Sequence, residues 1–328
     1  MAHKGEAGQS VGSGRWLSCS RAAAEGSGDD KSGTPNTGRV AVAFEANRRL
    51  ATKKVASAIG MPYMEDKEVL IKPNLNTSDP PPGSTHNDTL SSVLEMIKPD
   101  NPRKVIVGDR SGPMETRKVF EDKDLFEMGK EEGFECLIFD EMPDDMYKNY
   151  QPPGSHWRDG FLFARPVIRA DRVVCLCCLK THQYGGHFTM SLKLTTGMVH
   201  RDNMDELHSS RYQREMIAEM NYAYEPDLVI MDGVEAFYQG GPMHGAVWKA
   251  NLTFASKDRV ALDAVGVAAL KMHGTTHEIE KRPVFMQDQI RRAVELGLGV
   301  QEAKDIELVP VDAASEDVCQ RILQAFMS

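Results

Sequence analysis

Four short polar segments carry the residues best suited to chemistry: Lys72-Pro73-Asn74, Gly108-Asp109-Arg110, Lys180-Thr181-His182 and Asp232-Gly233. Each stands directly after an apolar run, namely Val69–Ile71, Val105–Val107, Arg172–Leu179 and Leu228–Met231. Lysines offer point charges to an anion, and a lysine desolvated in a pocket becomes a base or a nucleophile. Histidine moves protons near neutral pH, and a neighbouring carboxylate orients it. On these grounds Lys180, His182, Asp109 and Asp232 are the expected catalytic groups, with Asp109 and Asp232 orienting His182 or binding a metal. Lys72, Asn74 and Lys193 are the expected substrate contacts.

The stretch from Lys180 to Lys193 is the richest in reactive groups. Within it Tyr184-Gly185-Gly186-His187 reads as a turn into a helix-like run, whose free N–H groups would receive a carboxylate or phosphate. A second glycine-rich segment, Gly240-Gly241-Pro242-Met243-His244-Gly245, follows the Asp232 run. It reads either as a loop over the ligand, touching it through Gly240, Gly241 and His244, or as an ordinary tight connection. The candidate metal ligands are His182, His187 and Asp232, since imidazole and carboxylate suit zinc, iron or nickel. Their spacing matches no established metal motif. Cys175 and Cys177, with Cys178, offer thiolates to an iron–sulfur cluster. Along a strand, however, Cys175 and Cys177 face one side and Cys178 the other, so buried core side chains are the simpler reading. Neither a Walker loop nor a Gly-x-Gly-x-x-Gly turn after a strand is present, which argues against nucleotide hydrolysis and dinucleotide binding.

Bringing the four segments together requires a sheet. Strand-like runs at Val40–Phe44, Val69–Ile71, Val105–Val107, Cys136–Phe139, Arg172–Leu179, Leu228–Met231 and Asn251–Ala255 alternate with helical patterns. Those patterns run over Asn47–Ile59, Asp88–Ile97, Thr116–Glu132, Arg211–Met220, Asp258–Met272, Val284–Glu295 and Ser315–Met327. Such alternation predicts an α/β fold, a mostly parallel sheet with helices on both faces. Ligands of such sheets bind beyond the carboxyl ends of the strands. Residues 1–38 are rich in Gly and Ser and read as a disordered tail, leaving residues 39–328 as a single α/β domain.

The chain has 328 residues and a formal net charge of −9, which gives no global attraction to nucleic acid or an anionic membrane. No apolar run approaches the ~20 residues of a spanning helix. Six unpatterned cysteines suggest reduced thiols and a cytoplasmic location.

The series Val69–Asn74, Val107–Asp109, Lys180–His182, Ser191–Gly197, Leu228–Gly233, Gly240–Pro242 and Ala255–Asp263 resembles the family called domain of unknown function 362. The resemblance extends over about residues 66–300. Members of that family occur fused to ferredoxin-like modules or described as iron–sulfur proteins, so the resemblance implies a redox context and a possible cluster. The leading expectation is an enzyme that acts on a small anionic substrate by proton transfer or redox chemistry at the strand ends. Two alternatives stand beside it: an iron–sulfur or other metal-binding carrier serving a redox partner, and a noncatalytic binding protein, either of them open to forming a homo-oligomer.

Overall fold

The computed structural model describes residues 38–326; the segment read as a tail lies outside them except for Gly38, which opens the first strand. Twelve strands are found among the described residues. They are β1 (Gly38–Phe44), β2 (Glu68–Pro73), β3 (Lys104–Asp109), β4 (Glu135–Ile138), β5 (Tyr147–Tyr150), β6 (Phe161–Ala164), β7 (Arg172–His182), β8 (His187–Thr189), β9 (Leu228–Gly240), β10 (Gly245–Trp248), β11 (Leu252–Ser256) and β12 (Ile306–Pro310). The main sheet runs in the order β12-β1-β11-β9-β7-β2-β3-β4, with β8 added to β7 and β10 to β9. The stretch β9-β7-β2-β3-β4 is parallel throughout, as is β12 beside β1. Only β11 inserts antiparallel between β1 and β9. The fold is therefore the mostly parallel α/β sheet that the alternation predicts.

The central strands carry continuous apolar runs because both faces are covered. Val173 to Leu179 of β7 are all buried, with Val174 and Leu176 serving one core and Val173, Cys175, Cys177 and Leu179 the other. One core lies under the helices Arg48–Ile59 and Asn87–Ile97, the other under Gln213–Met220, Arg259–His273 and Asp288–Glu295. Local chemistry sets the helix ends. Asn47 caps the helix Arg48–Ile59 through Leu50 N–H, and Asp258 caps Arg259–His273 through two backbone N–H groups.

The strand order also fixes where a site can form. From β2 the chain moves outward to β3 and β4; from β7 it moves the other way, to β9. The carboxyl ends of β2 and β7 are thus the topological switch point, where departing loops part and leave a crevice. Lys72 ends one of these strands, Lys180 and His182 the other.

Several short elements escape the sequence pattern. The connection 140–160 contains β5, which pairs with β6 in a separate two-stranded sheet. The turn at Tyr184–His187 leads into β8, and only then into the helix Ser191–Leu194, rather than straight into a helix.

Candidate active site

A cavity of about 900 Å³ opens at the switch point. Lys72 and Asn74 come from the end of β2, Asp109 and Arg110 from β3, and Lys180 and His182 from β7. Lys193 and Thr196 enter from the helical segment after β8, and Pro242 and Met243 from the glycine-rich loop after β9.

At the floor Lys72 Nζ lies 2.6 Å from Asp109 Oδ1 and donates to Pro73 O at 2.7 Å. Asp109 also accepts the N–H groups of Leu75 and Arg110. Burial pushes the Lys72 ammonium down and the Asp109 carboxyl up, and their mutual attraction opposes both. Gly197 covers this pair: a β-carbon there would stand 2.8 Å from Lys72 Nζ and closer still to Asp109 Oδ1. No larger residue fits.

The other cations are held differently. Lys180 is fully buried and donates to Gly83 O at 2.5 Å and Pro242 O at 3.2 Å, with no carboxylate within ion-pair distance among the described residues. The Arg110 guanidinium is buried and, among the described residues, donates only to the carbonyls of Val199, Ser111 and Thr196 and to Met204 Sδ. Lys193 Nζ has no hydrogen-bond or ion-pair partner among the described residues. Burial lowers both Lys180 and Lys193 to about 8, and for Lys193 the neighbouring charges of Lys180 and Arg110 add to the effect. Burial first, then Lys193 and Lys180, hold His182 well below its usual range, so its ring is neutral.

Three buried polar atoms of lining residues lack partners among the described residues: His182 Nδ1, Thr189 Oγ1 and Thr196 Oγ1. Buried polar groups are normally hydrogen-bonded.

The roof is the turn Tyr184–His187, bent through positive φ at Gly185 and His187. Arg214 donates to Gly185 O at 3.1 Å and Gln289 to Gly186 O, so two helices hold this turn from outside.

The sequence profile of the domain of unknown function 362 (DUF362) matches residues 69–268. The chain belongs to the DUF362 family. A thylakoid-associated protein of Synechocystis sp. is 27% identical over 215 residues, covering 63% of this chain and 64% of that relative, a little under two thirds of its length. The lactate racemase apoprotein of Thermoanaerobacterium thermosaccharolyticum overlays 88% of this chain and 87% of its own at a TM-score of 0.42 and 12% identity. The DUF362 segment supplies the cavity from Lys72 to Met243, whereas Gln289, which holds the roof, lies beyond it.

Within this DUF362 chain several expected residues stand elsewhere. Asp232 does not face His182: it is buried against Arg48 at 3.0 Å, accepts from Thr89, and forms a closed cluster with Glu235. Asp109 orients Lys72 rather than His182. Gly240, Gly241 and His244 shape the loop through a Gly241 N–H to His244 O bond, and their neighbours Pro242 and Met243 reach the cavity in their place. His187 sits outside the lining, its Nδ1 buried without a partner. The first two N–H groups of the helix Ser191–Leu194 are taken up by the Asp263 carboxylate, which accepts from Ser191 and Leu192.

The cluster that the resemblance implies does not fit these residues. Cys175 and Cys177 are buried in the core, burial pushes both thiols up, and Cys175 Sγ lies 3.7 Å from Tyr224 Oη. Among the described residues no three His, Cys, Asp or Glu side chains are grouped to hold a metal ion. Arg110, Thr189, Thr196 and His208 line the cavity without having been expected there. Arg110 directly follows the β3 run, the one available sign; His208 gave none.

Proposed function

We propose that this DUF362 protein is an enzyme that binds a small anionic substrate at the β2/β7 switch point and moves a proton on it. One observation carries this reading: Lys180, Lys193 and Arg110 converge on a cavity with no carboxylate within ion-pair distance of any of them among the described residues. Buried charge without a counter-charge is costly, and an anionic ligand relieves that cost. Lys193 and Lys180 hold the charge, Lys72 and Asp109 brace the floor, and neutral His182 accepts or returns the proton. Proton transfer is preferred to redox chemistry because Lys193 and His182 provide it from side chains alone. The five described cysteines are free thiols, which supports a reducing, cytoplasmic setting, and no helix among the described residues is long and apolar enough to cross a membrane.

Calorimetric titration with oxalate at pH 7 tests the site. Wild type is expected to bind, and Lys193→Met to bind about tenfold or more weakly, the loss of one charge-assisted hydrogen bond. Equal affinity in both overturns the reading. The proton arm follows deuterium entry into the methyl group of pyruvate in D2O by NMR; exchange is expected with wild type and is lost in His182→Ala.

A further inference from the structure

We propose that Lys193 is a covalent lysine, whose amine condenses with the ketone carbon of a 2-oxo acid while the cations around it hold the carboxylate. The proposal rests on the anion-site reading above and names its substrate class. Three lysines reach the cavity, and their surroundings separate them. Lys72 is locked to Asp109 and Pro73 O, and Lys180 is tied to two backbone carbonyls. Lys193 is buried, has no partner among the described residues and borders a space large enough for a small ketone. A lysine desolvated beside other cations gives up its proton readily and becomes a nucleophile. Burial, Lys180 and Arg110 act on Lys193 in that sense.

A proton carrier borders the same space. A β-carbon at Gly186 would stand 3.0 Å from Lys193 Cε and 3.2 Å from His182 Nδ1, the ring nitrogen that lacks a partner. Glycine keeps that gap open between the two groups.

The step balances without any oxidant or reductant. Lys193 ammonium gives one proton to the solvent water of the cavity, and the amine lone pair then forms the C–N bond to the ketone carbon while the C=O π pair moves to oxygen. The oxygen takes one proton from the new ammonium centre and a second back from that water, and leaves as water as the C=N bond forms. One protonated amine and one ketone thus give one protonated imine and one water. The imine draws electrons from the neighbouring carbon, so a proton there becomes removable, which links covalent capture to proton transfer.

The test incubates the full chain with pyruvate and sodium cyanoborohydride, followed by intact-mass analysis and peptide mapping, with oxalate titrated in parallel. Oxalate is a dianion without a ketone carbon, so it reads the anion site alone. The expected result is one reduced pyruvate adduct per chain, on the peptide that carries Lys193, suppressed by oxalate. It should be absent from Lys193→Arg, a variant whose folding is checked by circular dichroism. Oxalate binding without an adduct, or with adducts only on other lysines, overturns the covalent proposal and leaves the anion site standing. Neither binding nor adduct overturns both.

Discussion

The neighbouring strands β7 and β9 both carry buried ionisable groups, at the carboxyl end of β7 and in the middle of β9, yet the two clusters are built on opposite plans. Within β9, Asp232 has Arg48, Thr89 and the Val234 N–H, and Arg48 has Glu235 as well, so every charge is answered. At the end of β7 and just after it, Lys180 and Lys193 have carbonyls or nothing among the described residues. A satisfied cluster holds elements together; an unsatisfied one keeps a place for something else. The Asp232 cluster ties the helix Arg48–Ile59 to the sheet, and the lysine cluster faces the cavity. Residue type alone marked both as catalytic; only the pairing tells them apart.

Breaking the closed cluster should have the largest effect, and on stability alone. Asp232→Asn leaves the buried Arg48 guanidinium with Glu235 only, so the loss is expected near the lower end of ~3–5 kcal/mol, read from urea unfolding. Its oxalate affinity should match wild type. A parallel fall in affinity would mean that the two clusters work as one.

The lysine cluster should answer pH with two opposite trends. The folded protein holds Lys180 and Lys193 at about 8 against an ordinary 10.5, so between these values the unfolded chain keeps protons that the folded one has released. Their contribution to stability therefore rises with pH across that window. Oxalate binding needs the ammonium forms and falls as pH passes about 8. Unfolding and calorimetry at pH 7 and pH 9.5 check both, and Lys193→Met should show a smaller rise. Parallel trends would remove the lysines from the site.

The smallest effect belongs to the cysteines. Cys177→Ala is expected to cost about 1 kcal/mol through lost core packing and to leave oxalate binding unchanged. Iron and sulfide in wild type that disappear in this variant would return the thiols to a ligand role.

Much of this was legible in the chain. The runs before Lys72, Asp109 and Lys180 are apolar until a polar residue interrupts them, which marks both a central parallel strand and the end where ligands bind. Lys193 was visible for its place in the lysine- and histidine-rich stretch. Pairing was not visible. Asp263 lies far along the chain from Ser191, and nothing local in either segment shows that its carboxylate occupies that helix end. The strands β5, β8, β10 and β12 are three to five residues long, and partners distant in sequence or irregular loops set them more than any period of their own.

The hold on the roof has a kinetic meaning. The carbonyls of Gly185 and Gly186 are gripped by Arg214 and Gln289, which sit on two helices packed against each other. Lifting the turn breaks those bonds, so the residence time of whatever the cavity holds comes under the control of side chains that never touch it. A change on the outer surface of those helices can then alter how fast the site empties while leaving its resting affinity for the ligand to the lysines inside.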